Sequence, residues 1–184
     1  MLSSYMSLEK LVNALNTASG EGPPIEKWNP PFCGDIAINI DRQGKWFYQN
    51  SEIGRAPMVQ LFATVLWFED SEYFLVTPVE KVRITVDDLP LIITQWQHIN
   101  DTSTPLIQVS TSVGDSVIIS EQHPIEIDEQ GLKVRIRRNL YARVHRNVYY
   151  QWAEMADIKT DNDAAHQQKA VICSAGKEYS IGNL

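Results

Sequence analysis

Two arginines stand at the starts of predicted helices, where cations need an anion nearby. Arg55 directly precedes a helical pattern over about residues 56–68, and Arg146 precedes a second one with Asn147 as its predicted N-cap. The positive end of a helix dipole disfavours a cation unless an anion also binds there. Free helix amides and a guanidinium together bind anions well. The pair therefore predicts an anion site; the alternative is that each arginine binds carbonyls or carboxylates of its own neighbourhood.

Other basic residues extend this candidate site. The segment 132–147 carries six Lys and Arg and no Asp or Glu, so with a net charge of −7 overall the remaining residues carry −13. An acidic remainder repels the backbone of a nucleic-acid polymer, which favours a small anion as the ligand. For each basic residue on a predicted strand, the alternative is that its side chain faces solvent on the exposed side of a sheet and contacts no ligand. The candidate ligand-binding residues are Arg55, Arg146, Arg143, Lys81 and Arg135.

Common catalytic and metal-binding motifs are absent from the sequence. There is no GxSxG, GxxxxGK[ST], GxGxxG or HExxH, and the four histidines are far apart. We therefore expect no metal and no cofactor, and a role in binding is favoured over a role in catalysis. The alternative is an enzyme whose site assembles from distant residues such as Glu80, Asp115 and His123.

Periodicity indicates which elements carry these residues. Alternating apolar residues predict an antiparallel hairpin over 36–48 followed by the helix at 56–68, and the same order recurs as a hairpin over 132–144 followed by a helix. The pattern predicts an α+β fold of two similar halves, each mostly antiparallel sheet with a hairpin-then-helix unit. Residues 1–88 hold an N-terminal helix and the first repeat, and residues 89–184 hold the second. Residues 157–168 are predicted to form a loop.

The N-terminal part and the cysteines indicate a compartment. Residues 3–18 have the spacing of an amphipathic helix rather than an export signal, and no apolar run is long enough to span a bilayer. Cys33 and Cys173 form no recognisable disulfide or metal pattern and are expected to be reduced and buried. Trp28 and Phe32 are expected to anchor the proline-rich connector at 20–33. A cytoplasmic protein is the prediction.

Several motifs resemble an uncharacterised bacterial family, domain of unknown function 1285. They are WNPPFCGD at 28–35, GKWFY at 44–48, IGR at 53–55, YFLVTPVEK at 73–81, VGD at 113–115 and HP at 123–124. The resemblance implies a duplicated fold whose C-terminal half looks like a pleckstrin-homology domain. It also implies a cleft between the halves that holds a nucleotide-like ligand in signalling.

These observations lead to one expected function and two alternatives. We expect the protein to bind a small anionic, nucleotide-like ligand between its two halves, in a signalling role with a protein partner. The first alternative is a protein-interaction module without a small-molecule ligand. The second is the enzyme with a site that matches no known motif.

Overall fold

The chain divides into two units, Met1–Asp88 and Leu89–Leu184. A computed structural model describes residues 7–16, 23–99, 103–160 and 167–183. Each unit is built around a six-stranded sheet. None of the helices in these ranges is long and apolar enough to cross a membrane.

Within residues 7–16 and 23–88, the described part of the first unit, there are three short helices and six strands. Its sheet has the order β3-β2-β1-β6-β5-β4, in which β1 and β6 are parallel and all other neighbours are antiparallel. The elements are α1 (Leu8–Asn16), a 3-10 helix (Ile25–Lys27), β1 (Phe32–Ile40), β2 (Trp46–Tyr48), β3 (Ser51–Glu52), α2 (Ala56–Thr64), β4 (Leu66–Glu69), β5 (Glu72–Val76) and β6 (Lys81–Val86).

Helix α2 is shorter than the predicted 56–68. Leu66–Glu69 forms a strand paired with β5 because Asp70 and Ser71 have positive φ angles of 49° and 65° and turn the chain back on itself. An apolar run of this length is compatible with either structure, and the strand ladder decides it. Phe62 packs α2 onto the sheet, with its ring centroid 6.1 Å from that of Trp46.

The second unit contains nine strands and one helix within the described ranges. Its six-stranded sheet has the order β10-β11-β12-β7-β8-β9, and a separate three-stranded sheet has the order β13-β14-β15. The elements are β7 (Leu91–Ile99), β8 (Leu106–Thr111), β9 (Ser116–Ile118), β10 (Ile125–Asp128), β11 (Gly131–Arg137), β12 (Leu140–Val144), α3 (Arg146–Met155), β13 (Asp157–Thr160), β14 (Gln168–Ser174) and β15 (Lys177–Asn183).

The two six-stranded sheets have the same construction. Each joins two three-stranded antiparallel meanders by a parallel pairing of the first strand with the sixth, β1 with β6 and β7 with β12. This confirms the predicted α+β fold of two similar halves and both predicted hairpins. The helices differ in their position along the chain. Helix α2 connects the first meander of its sheet to the second, whereas α3 comes after the sixth strand of its sheet. The local equivalence of the hairpin-then-helix segments therefore does not extend to their place in the sheet.

Several local predictions differ from the structure. Residues 157–160 of the predicted loop form β13, because they pair with β14, while 161–166 lie outside the described residues. Residues 8–16 of the predicted helix at 3–18 form α1, and its ends also lie outside them. Both cysteines are exposed rather than buried.

The connector is anchored differently from the prediction. Ile25 is 2% exposed, whereas Phe32 is 55% exposed and Trp28 is half-buried. Phe32 begins β1, and its ring makes a T-shaped contact with that of the buried Phe74, with the centroids 6.2 Å apart. The aliphatic side chain in the 3-10 helix therefore provides the buried contact of this segment.

Candidate functional site

The second unit contains a cavity of about 420 Å³ beside the first turns of α3. This volume lies within the range of small-molecule sites, about 300–1,000 Å³. The wall is formed by the β10–β11 turn, the end of β12, the exposed side of α3 and one residue of β15. The lining residues are Ile127, Gln130, Gly131, Leu132, Arg143, Val144, Arg146, Tyr149, Tyr150 and Ile181.

The start of α3 is fixed by His145 rather than by the predicted Asn147. His145 has extended backbone angles, and its Nδ1 accepts a hydrogen bond from the Asn147 amide at 3.2 Å. Its own amide donates to the Ile93 carbonyl at 3.0 Å, which ties the helix start to β7. The imidazole thus acts as the N-cap acceptor. Arg146 is consequently the first residue of the helix and does not precede it.

The buried face of α3 determines which side chains face the cavity. Val148 and Trp152 are 2% and 0% exposed, and they hold one side of the helix in the core. Tyr149 and Tyr150 are 36% and 55% exposed, and their ring centroids lie 5.9 Å apart. The helix therefore presents two aromatic rings with phenol hydroxyls beside Arg146.

Arg143 lines the cavity, but its guanidinium is held by the β10–β11 turn. Its Nη1 and Nη2 donate to the two carboxylate oxygens of Asp128 at 2.8 and 3.1 Å. Nη1 also donates to the Gly131 carbonyl at 3.1 Å, and the residue is only 9% exposed. A bidentate pair of this kind neutralises both charges and fixes the turn.

Asp128 remains ionised in this arrangement. Burial alone would raise the pKa of Asp128, but hydrogen bonds from the Arg143 guanidinium and the Gln130 amide hold that pKa below its ordinary value. Lys133 lies 3.7 Å from the same carboxylate and 3.6 Å from Glu126. The two cations and two carboxylates of this cluster have no net charge.

Arg146 differs from Arg143 in being uncommitted. Its side chain is exposed and makes no hydrogen bond or ion pair with any other residue in the described part of the chain. The cavity therefore combines one available guanidinium with aromatic and aliphatic walls. Such a wall can bury the apolar body of a ligand while the guanidinium binds its anionic group.

The remaining predicted site residues lie outside this cavity. Arg135 is exposed on β11, and its Nε donates to the Arg138 carbonyl at 3.2 Å. In the first unit, Lys81 forms an ion pair with Glu69, and its ammonium lies 4.4 Å from the Phe74 ring centroid. The structure thus brings together Arg143 and Arg146 of the five predicted residues and gives Lys81 and Arg135 local partners.

Arg55 lines a different cavity, in the first unit. It is the N-cap of α2, has an exposed side chain and makes no side-chain capping bond. The groove beside it has a volume of about 560 Å³ and is lined by aliphatic and small residues together with the thioether of Met58. Its lining residues are Val12, Gly54, Arg55, Ala56, Pro57, Met58 and Leu61.

The residues of the enzyme hypothesis take part in local structure. His123 Nδ1 lies 3.0 Å from the Arg135 carbonyl, and Asp115 accepts a hydrogen bond from Arg137 at 2.9 Å. The Glu80 carbonyl accepts the Thr77 amide in a turn of the first unit. Across residues 7–16, 23–99, 103–160 and 167–183 there is no group of three or more His, Cys, Asp or Glu side chains that could hold a metal ion.

Sequence reasoning missed the residues that give this cavity its character. Tyr149 and Tyr150 carry a signal that could have been used, because they fall outside the Val148 and Trp152 face of the helix and are therefore exposed aromatics. The sequence around Asp128 does not indicate that this residue pairs with Arg143. Its effect on Arg143 depends on the pairing of β10 with β11 and of β11 with β12.

Comparisons with known proteins give family matches across nearly the whole chain. Residues 23–89 match the model of the N-terminal domain of a domain of unknown function, DUF1285, and residues 90–181 match the C-terminal domain model of the same family. No curated protein matches.

Two solved structures of the same family resemble this chain. A DUF1285 family protein from Silicibacter pomeroyi DSS-3 is 31% identical, with a TM-score of 0.81 over 95% of each chain. Another from Shewanella baltica OS155 is 30% identical, with a TM-score of 0.55 over 66% of this chain and 94% of that one.

Proposed function

This chain belongs to the DUF1285 family, and we propose its function from the cavity of the second unit. The cavity binds a small anionic, nucleotide-like ligand through Arg146 and its aromatic wall. The bound state alters contacts with a signalling partner protein.

One observation carries this proposal. The Arg146 side chain is exposed, makes no hydrogen bond or ion pair within the described part of the chain, and lines a cavity of about 420 Å³ together with two tyrosines. A guanidinium offers several donors in a planar fork that matches carboxylate and phosphate groups. The tyrosine rings offer faces on which a planar group can stack and hydroxyls that can donate hydrogen bonds.

The wider setting of the proposal rests on the sequence. A cytoplasmic, bacterial protein stays a prediction of the sequence, and the two free cysteines are compatible with a reducing compartment. The pleckstrin-homology-like character of the second unit stays a prediction of the family resemblance. The ligand position proposed above concerns the second unit alone.

A thermal-shift screen over nucleotides, cyclic nucleotides and simple phosphates tests this function. A ligand that binds only the native state raises the melting temperature in proportion to ln(1 + [L]/Kd). We expect at least one nucleotide or phosphate to raise the Tm of the wild type. Arg146→Gln should weaken that ligand about tenfold, because it removes a charge-assisted hydrogen bond.

Arg55→Gln is the matched control. It removes an exposed arginine at a helix start and changes the net charge of the protein equally, but it lies outside the cavity of the second unit. It should leave the affinity unchanged. Equal weakening by both variants would point to nonspecific attraction and would refute the cavity as the site. If no compound in the screen raises the Tm of the wild type, the anion-binding function is refuted.

A second candidate function is supported by exposed apolar side chains around the same cavity. Ile127, Tyr149 and Tyr150 are 52%, 36% and 55% exposed and all line it. Exposed aromatic and aliphatic groups in one place are typical of protein-interaction surfaces. If no small anion binds, a partner that binds the wild type but not Tyr150→Ala would favour this function.

A further inference from the structure

We propose, on the basis of the function above, that Asp128 sets the charge class of the ligand by neutralising Arg143. The site then takes an organic anion with one negative charge and an apolar or aromatic body, and it rejects dianions and polyphosphates. Asp128 is a positioning and specificity-determining residue in this proposal, since it acts through Arg143.

Most of the charged groups at and next to the cavity wall are paired with one another. Arg143 gives both of its terminal nitrogens to Asp128, at 2.8 and 3.1 Å. Lys133 lies 3.7 Å from the Asp128 carboxylate and 3.6 Å from that of Glu126. The charges of these four groups cancel, so among the described residues that line the cavity Arg146 provides the single net positive charge.

Among the described residues that line the cavity, no further uncancelled cation is present to neutralise a second negative charge on the ligand. Ile127, Leu132, Val144 and Ile181 form aliphatic parts of the wall, and an unpaired charge taken out of water beside them is costly. The ionised Asp128 carboxylate would also repel that charge. A lone guanidinium therefore matches one carboxylate, sulfonate or phosphodiester group better than a phosphomonoester or a triphosphate.

The rest of the chain disfavours highly charged ligands at longer range. Outside the basic segment 132–147 the sequence carries a net charge of −13. Glu126 and Asp128 offset Lys133 and Arg143 of that segment, Asp115 is ion-paired with Arg137 at 2.9 Å, and the net charge of the whole protein is −7. Repulsion by a net negative protein grows with ligand charge. Among nucleotide-like molecules, this charge class admits a cyclic phosphodiester and excludes a triphosphate.

The uncharged part of the cavity wall indicates which kind of molecular body the ligand has. Tyr149 and Tyr150 offer ring faces, and the volume of about 420 Å³ is sufficient for a fused aromatic ring system. Burial of an apolar body then supplies affinity that one ionic contact lacks. Naphthalenesulfonate, naphthyl phosphate and naphthol are suitable probes, because they share one body and differ in charge.

The test measures the affinity of each probe by calorimetry at pH 8, where the sulfonate has one charge and the phosphate has two. We expect the wild type to bind the sulfonate at least about fivefold more tightly than the phosphate. Naphthol should bind more weakly than the sulfonate. Arg146→Gln should remove the difference between the sulfonate and naphthol. The preference for one charge over two is a quantity that a purely structural role of Asp128 would not change.

Two variants change the cavity charge in independent ways. Asp128→Asn frees the Arg143 guanidinium, and Gln130→Lys adds a cation at an exposed lining position without disturbing the ion pair. Both should shift the ratio of affinities about fivefold toward the phosphate. Gln122→Lys makes the same change at an exposed residue that does not line the cavity, and it should leave the ratio unchanged.

The outcomes separate this inference from the function on which it rests. If the wild type prefers naphthyl phosphate, or if Asp128→Asn and Gln130→Lys leave the ratio unchanged, the charge rule is wrong while anion binding stands. If an anion from the thermal-shift screen depends on Arg146 but neither naphthyl probe binds, the aromatic body is wrong. If nothing binds in an Arg146-dependent way, the proposed function fails and takes the inference with it.

Discussion

The starts of α2 and α3 carry the same local pattern but have different surroundings. Arg55 caps α2 without a side-chain acceptor, and Pro57 in the first turn supplies no amide hydrogen. At α3, His145 accepts the Asn147 amide, and the neighbouring Arg143 is held by Asp128. An arginine beside a helix start therefore does not define a site on its own. Whether aromatic side chains and a second, ion-paired arginine lie next to it depends on the neighbouring elements of the fold.

The largest expected effect distinguishes Arg143 from Arg55 by stability. Arg143→Ala should lower the free energy of unfolding by about 3 kcal/mol, because it leaves the partly buried Asp128 without its bidentate partner and frees two backbone carbonyls. Arg55→Ala changes an exposed side chain and should stay within about 0.5 kcal/mol. Urea denaturation of both variants measures the difference. Equal losses would mean that Arg143 does not hold the β10–β11 turn.

The acid dependence of stability should distinguish the Arg143 pair from the ion pairs of the first unit. The pKa of Asp128 is depressed in the folded protein, so its contribution is present at pH values above its ordinary pKa of 3.8 and is lost as the pH falls through the folded value. Asp128→Asn should remove about 1 to 2 kcal/mol of stability at neutral pH and flatten the profile at acid pH.

Asp35 provides the comparison for that measurement. The hydrogen bonds from Arg83 also lower the pKa of Asp35, but its side chain is 64% exposed. Solvent and salt screen such a pair. Asp35→Asn should therefore change the acid profile less than Asp128→Asn does, and high salt should abolish its effect. A larger effect at Asp35 would reverse the comparison.

The smallest expected effect concerns the caps themselves. His145→Ala should cost about 1 kcal/mol, because the Asn147 amide loses its side-chain acceptor. His145→Asn, which also offers an acceptor, should restore most of this loss. Thermal unfolding of the two variants measures it, with Arg55→Ala as the helix start that has no cap to lose. If His145→Ala is as stable as the wild type, the imidazole is not a functional cap.

Short-range pattern was sufficient for the hairpins and for the fold class. Ile36, Ile38 and Ile40 alternate with less buried residues, and so do Leu132, Val134 and Ile136. Period-two alternation of this kind identifies a strand with one buried face without knowledge of its partners. It could not settle the end of α2, because Leu66–Glu69 is apolar enough for either structure and only its pairing with β5 makes it a strand.

The sequence by itself determined that basic residues concentrate in the segment 132–147 and that two arginines, Arg146 within it and Arg55 outside it, stand beside helix starts. Tertiary structure decided which of those charges is available. Asp128 meets Arg143 only because β10, β11 and β12 are paired in this register, whereas Arg146 at the helix start meets no carboxylate in the described chain. The physical reason is that side-chain type and spacing are local properties, while the neutralisation of a charge depends on which distant residue the fold brings within hydrogen-bonding distance.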